Sequence, residues 1–270
     1  MQLSELGELG LLQELERRGL VLAIEDDAAL VDGLVVTQDA LVEGVHFRLD
    51  WLSWRELGFR AAAVNLSDLA ASGAEPRGLI VTLGAPDSTR AEDVVELYEG
   101  IAETHVPVLG GDTTRADGVL LSVTALGRST RVPGRGGARA GDLLVVTGPL
   151  GGAGASFRES RYPRPPLRLE EGRRLAGHAH ALLDISDGIE RDAGHLARRS
   201  GVHAVIELDR VPLAEGAEVA DLGFGEDFEL LAAVEDPDGF PVIGRCEEGE
   251  GVELVWEGRP MELGGYEHFR

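Results

Sequence analysis

The sequence predicts a mixed α/β chain organised as two α+β domains, at residues 1–135 and 136–270. Its 270 residues suit two domains of ordinary size, each long enough to bury a core. Helical and strand-like segments alternate irregularly in both halves, with no repeat at solenoid periods. Between the halves, RVPGRGGARAGD (131–142) is basic, loop-rich and free of hydrophobic period, which marks a boundary.

Taken in order, Ser4 to about Arg18 predicts a helix stopped by Gly19. Residues 20–48 alternate short apolar runs with acidic turns and predict strands. Ser53 and Glu56 form an S-x-x-E capping box, in which each side chain satisfies an amide at the start of the helix. That helix runs to about Ser72, before Gly73. GLIVTLGA (78–85) predicts a strand, and Thr89 with Glu92 a second cap, for a helix to about Glu103. VPVLGGD (106–112) and GVLLSVTALG (118–127) are strand-like, the latter alternating as a half-buried strand does. Beyond the boundary come a strand at 143–147, the glycine-rich turn GPLGGAG (148–154) and the proline-rich RYPRPPLR (161–168). Helices at about 169–181 and 188–200 follow, then strands near 203–208, 228–234 and 252–256.

The formal charge is −23, from 48 acidic and 25 basic residues, which disfavours nucleic acid and anionic membranes as partners. No apolar run reaches the roughly 18 residues of a membrane span, and no charged-then-apolar leader is evident. The lone Cys246 has no partner for an internal disulfide, so a reducing, cytoplasmic location is expected. No Cys/His spacing suits a structural zinc. Every basic residue is Arg. Without Lys, a Walker-type phosphate lysine, a Schiff base and a lysine nucleophile are excluded.

VNLSDLAASGAEP (64–76) presents a chemical problem: Asp68 stands amid small and apolar residues in a helix. A buried carboxylate without a partner costs several kcal/mol, on the order of a domain's whole stability. EDDAA (25–29), TQDALVEGVHF (37–47), GGDTT (110–114), DISDG (184–188) and GEDFE (225–229) also set Asp among small, flexible or hydroxyl-bearing neighbours. Singly, such turns are ordinary turn chemistry. GPLGGAG is non-specific as a phosphate cradle, His46 by default is a satisfied histidine, and Tyr266 and Phe269 pack down a tail. Together, the acidic turns supply the hard oxygen donors that Mg²⁺ prefers, and they would repel one another without it.

The ordered succession EDDAALV, TQDALVEGVHF, AVNLSDLAASGAEP, GGDTTR, GARAGD, LDISDGI, GEDFELL and a terminal GYEHF closely resembles the thiamine-monophosphate kinase family. That family belongs with aminoimidazole ribonucleotide synthetase and selenophosphate synthetase. The resemblance implies their two-domain fold, with the N-terminal domain forming a homodimer. It implies ATP-dependent phosphorylation of thiamine monophosphate to thiamine diphosphate, with several Mg²⁺ ions. Carried over by position, Asp27, Thr37, Gln38, Asp39, Asp68, Asp112, Asp184 and Asp187 are expected as metal ligands. Gly111, Asp112, Arg135, Ser186 and Tyr98 are expected at ATP, and His46, Glu226 and Tyr266 at thiamine phosphate. Asp39, Asp68, Asp112 and Arg135 are expected to carry the catalysis.

The chain departs from the family pattern at Glu25, at Gln38 and at Phe224, and its second domain is shortened around 155–165 and 213–222. At Gln38 an amide or a backbone carbonyl must supply the expected ligand oxygen. The competing readings are another ATP-using enzyme of the superfamily and a non-catalytic thiamine-phosphate or nucleotide sensor. Selenophosphate synthetase chemistry needs a reactive Cys and a Lys near the N-terminus, and neither is here. A sensor would have lost metal-binding Asp residues, which this chain retains.

Overall fold

The computed structural model describes residues 2–21 and 26–266, without the side chains of 8 and 9. Glu25, His268 and Phe269 lie outside them. The helices are α1 Leu3–Arg17, α2 Trp54–Ala71, α3 Ala91–Ala102, α4 Gly152–Arg158, α5 Leu169–Ala176 and α6 Ile189–Ser200. The first-half strands are β1 Ala29–Val31, β2 Leu34–Val42, β3 Glu75–Ala85, β4 Val108–Arg115 and β5 Leu120–Arg128. The others are β6 Leu143–Val146, β7 Ala181–Asp184, β8 His203–Glu207, β9 Leu230–Val234, β10 Val242–Glu247, β11 Gly251–Trp256 and β12 Arg259–Met261. They form a five-stranded sheet, β1-β2-β5-β3-β4, and a seven-stranded sheet, β12-β11-β8-β10-β6-β9-β7.

The capping box opens α2 as expected: Ser53 Oγ accepts the Glu56 N–H, and Glu56 accepts the Ser53 N–H at 2.7 Å. Elsewhere local signals mislead. α1 is broken at Gly7 (φ 70), and its box is made by Gln2 and Glu5. α3 starts after Arg90 with no side-chain cap, so Thr89 and Glu92 do not form one. GGAG continues into α4 rather than ending as a turn. The helix expected to reach 181 stops at Ala176, and ALLD (181–184) is instead β7, an edge strand paired with β9.

α2 is buried on nearly every side, from Leu57 to Ser67 and from Leu69 to Ala71. Leu57, Ala61, Ala62, Leu66 and Leu69 pack into the core of the first sheet with Val35, Val81 and Val123. Ala70 and Ala71 instead join Leu175, Leu182, Leu230 and Val234 of the second half. This double contact explains the run of small residues: a β-carbon on Gly172 of α5 would come within 2.2 Å of the Ala70 carbonyl oxygen. α6 covers the far face of the second sheet through Ile189, Ala193, Leu196 and Ala197. No described helix is long and apolar enough to cross a membrane.

Candidate functional site

Alternation along β2 turns Thr37 and Asp39 toward α2, on the side of Val35 and Leu41. Thr37 Oγ1 donates to Asp68 Oδ2, and the Asp39 N–H donates to Asn65 Oδ1 at 3.0 Å. From the other sheet Asp184, at the end of β7, accepts from Ser67 Oγ at 2.6 Å. Helix α2 thus gathers carboxylates from both sheets. Asp27, Asp68 and Asp184 each place a carboxylate oxygen within 4.8 Å of the others. Arg135 closes the group from the connecting segment, its Nη2 2.5 Å and its Nε 2.8 Å from Asp27 Oδ1. Its backbone N–H donates to Asp26 Oδ1 at 2.8 Å.

Burial and mutual repulsion set the electrostatics. Burial, then the charges of Asp39, Asp184 and Asp27, raise Asp68 well above the ordinary carboxylate value. Asp184 is pushed up to about 7 by burial and then by Asp27, with Ser67 and Arg135 opposing. Asp27 is also raised by burial, against the pull of Arg135. Asp39 is exposed as a residue, yet burial of its carboxyl among its neighbours raises it too. Such a set of hard oxygens is what a divalent cation would neutralise, and the residues present fit one.

A second cluster of turns adjoins the first. The Glu226 N–H donates to Ser186 O at 2.8 Å, the Phe228 N–H to Ile185 O at 2.9 Å and the Tyr266 N–H to Asp187 O at 3.1 Å. Arg191 Nε lies 3.2 Å from Asp187 Oδ2, and Arg191 also donates to the Tyr266 carbonyl. Gly225 has to be glycine: it sits at φ 86, and a β-carbon there would come within 2.4 Å of Ser186 O. The acidic Asp184–Asp187 segment, Glu226 and Tyr266 are therefore neighbours. His46 closes the turn after β2, its Nδ1 accepting the Val42 N–H at 3.0 Å, which leaves the ring proton on Nε2.

Four expected residues, Gln38, Asp112, Tyr98 and Gly111, stand apart. Gln38 points to the opposite face of β2, where its amide bonds Ser122 Oγ at 2.9 Å and Thr124 Oγ1 at 3.3 Å. The expected amide ligand is therefore not at the carboxylate cluster, because strand alternation turns it away from Thr37 and Asp39. Asp112 lies on β4, at the far edge of the sheet, where it pairs with Thr82 of β3. With Tyr98, Gly110 and Gly111 it lines an open groove of about 410 Å³. Gly111 is dictated by packing, since a β-carbon there would come within 1.7 Å of Val81 O.

Ser67, Asp192 and Arg60 also belong to the site region, though none is expected there from the sequence motifs. Asp192 is buried and accepts the Asp187 N–H at 3.0 Å; burial and then Asp187 raise it well above its ordinary value. Arg60 lies in α2 at 1% exposure. Like Asp68, Arg60 is a charged residue in an otherwise small and apolar stretch of helix, which is the signal that marks it in the sequence.

Two sheets that share one buried helix, with carboxylates from both at its end, are the architecture of an AIR synthase related protein. The model of that family's N-terminal domain matches residues 25–129. A thiamine-monophosphate kinase of Aquifex aeolicus is 33% identical over 310 aligned positions, covering 100% of each chain. One of Rhodopirellula baltica is 36% identical over 266, covering 87% of this chain and 83% of the other. The solved structure of AaThiL complexed with AMPPCP and TMP matches with a TM-score of 0.90 at 32% identity, over 99% of each chain. The chain belongs to the thiamine-monophosphate kinase family of enzymes.

Proposed function

We propose that this chain transfers the γ-phosphoryl group of ATP to the phosphate of thiamine monophosphate, releasing thiamine diphosphate and ADP. The observation that carries the reading is the buried Asp27, Asp68 and Asp184 cluster beside Arg135, whose carboxylates repel one another at neutral pH. Mg²⁺ held there by Asp27, Asp39, Asp68, Asp184 and Asp187 would neutralise phosphate charge in both substrates. A phosphate oxygen of the acceptor, already ionised, forms the new O–P bond as the bond from Pγ to the β-phosphate oxygen breaks. No strong base is required. Arg135, oriented by Asp27 through Nε and Nη2, keeps Nη1 for a phosphate oxygen. Ser186 and Asp187 precede the N-terminus of α6, where free N–H groups favour anions.

Incubation with MgATP and thiamine monophosphate, followed by chromatography, should yield thiamine diphosphate and ADP in equal amounts. No label from γ-phosphate should remain on denatured protein. ATP hydrolysis without thiamine diphosphate would overturn the reading, and a stoichiometric phosphoenzyme would replace direct transfer by a ping-pong route.

The division at 135/136, a cytoplasmic location and a homodimer belong to the same proposal. The first sheet leaves Leu30, Val31, Ile80, Val108 and Leu109 exposed, and β4 is exposed along its whole length. An apolar face ending in an edge strand whose outer side pairs with no described strand suits a second copy. Asp112 lies three strands from Asp39, about 14 Å at ~4.8 Å per strand, so closure of two copies would bring the Tyr98–Asp112 groove toward the partner's carboxylates. Sedimentation equilibrium should give twice the 28.7 kDa chain mass, and Leu109→Glu should give inactive monomer. A fully active monomer would remove the dimer from the mechanism.

The ring of Tyr266 is half exposed while its backbone is pinned to Asp187 and Arg191. A thiazolium is cationic, and an aromatic face holds a cation at roughly 0.5–2 kcal/mol. Tyr266→Ala should therefore weaken thiamine-monophosphate binding about tenfold and leave ATP binding unchanged, while Tyr266→Phe keeps most of it. Parallel calorimetric titrations decide it: equal losses for both ligands would make the tail structural.

A further inference from the structure

Arg60 is the largest fully buried side chain among the described residues, in the middle of the helix that joins the two sheets. Its Nη1 donates to the Pro163 carbonyl at 3.3 Å. Its Nη2 lies 2.8 Å from Glu226 Oε1 but off hydrogen-bond alignment, and Nε has no hydrogen-bond partner. The guanidinium carbon stands 5.2 Å from the Tyr162 ring centre and 5.7 Å from that of Phe228. The backbone it faces is strained: Glu226 and Phe228 sit at φ 59 and 52, a region where non-glycine residues are uncommon.

A buried cation with unused donors is a poor stabilising device. Replacing such ion pairs by apolar residues of similar volume is commonly neutral or favourable. What the arrangement does achieve is placement. The side chain of Glu226 remains 27% exposed, so its carboxylate stays accessible to a ligand while Oε1 lies against Arg60. The Tyr162 and Phe228 rings flank the guanidinium beside that carboxylate.

We infer that Arg60 is a positioning residue, which fixes the Glu226 carboxylate to receive the cationic, nitrogen-bearing part of the acceptor. This rests on the reading of Glu226 as a thiamine-phosphate contact. Arg60 itself touches no substrate.

The test uses the full-length protein with MgATP and thiamine monophosphate, in the variants Arg60→Met, Arg60→Lys, Glu226→Gln and Arg60→Met with Glu226→Gln. Arg60→Met and Glu226→Gln should each raise KM for thiamine monophosphate about tenfold, with KM for ATP unchanged. Calorimetric affinity for thiamine monophosphate should fall in step. The double variant should be no worse than either single one, because both remove the same placement. Arg60→Lys keeps the charge but not the planar fork and should recover part of the loss, and it serves also if Arg60→Met fails to fold. Additive losses, or equal changes in both KM values for Arg60→Met and Arg60→Lys, would make Arg60 merely structural and overturn the inference. An effect of Glu226→Gln with none from either Arg60 variant would do the same. Unchanged KM in Glu226→Gln would instead remove the reading of Glu226 on which the inference stands.

Discussion

Asp68→Asn is expected to slow phosphoryl transfer at least about 100-fold, the upper end for groups that merely support a metal ligand, while raising the melting temperature of the metal-free protein. The two effects have one cause. Asp68 stands within 4.8 Å of Asp27 and Asp184, and its ionised form is opposed by burial and by Asp39, Asp184 and Asp27. An amide removes that repulsion and keeps the shape, and its NH₂ or carbonyl can still meet Thr37 Oγ1. It cannot supply the negative charge that a hard divalent cation requires. Turnover kinetics at saturating Mg²⁺, paired with thermal melts in EDTA, check both halves. Turnover near wild type would remove Asp68 from the chemistry, and a lower melting temperature would mean its charge stabilises the fold.

Acidification from pH 8 to pH 6.5 is expected to stabilise the metal-free protein, and Mg²⁺ to stabilise it more at pH 8 than at pH 6.5. Asp184 is raised from 3.8 to about 7, and Asp68 is raised well above 3.8. Raised carboxyl groups give the folded state more bound protons than the unfolded state, so stability falls as pH rises through the folded values. Each excess proton is worth about 1.4 kcal/mol per pH unit, or about 3–6 °C of melting temperature for a chain of this size. Below pH 6.5 the slope is offset by His195, which burial lowers to about 4 and which favours the folded state as pH rises. Above pH 6.5 that opposition fades as the unfolded-state histidine loses its proton, and by pH 8 it is nearly gone. A cation that binds only the folded cluster competes with those protons, so its stabilisation grows as they leave. Calorimetric melts with EDTA or Mg²⁺ at both pH values read this directly. A melting temperature that rises from pH 6.5 to 8 in EDTA would refute the linkage, and Asp68→Asn should flatten the slope.

The helix α2 illustrates how far local sequence reaches. Its start follows from Ser53 and Glu56, because a capping box is closed within one turn and needs no distant partner. α6 and the β2 and β5 segments were legible for the same reason, since periodicity is a local property. β7 was not: four buried residues of ALLD carry no alternation, and only pairing with β9 makes them a strand. The false cap at Thr89 has the right spacing but lies one residue before the true start, which the packing of α3 on α2 sets.

At the site, the residue types are legible in the chain alone: acidic turns, a lysine-free basic set, and an Asp in a helix with no evident partner. Tertiary structure alone decided which of them meet. Asp27, Asp68 and Asp184 are far apart in the chain and converge because α2 packs on both sheets, with Ser67 bonding Asp184 across the junction. Gln38 is adjacent to Thr37 and Asp39 in sequence yet faces away, because a strand sends neighbours to opposite sides. Arg60 read as an ordinary helix residue and became a buried cation only when Tyr162, Phe228 and Glu226 closed over it. Residue type and local period are written in the neighbours along the chain, whereas burial, and with it the charge state of a carboxylate, depends on atoms that only folding brings near.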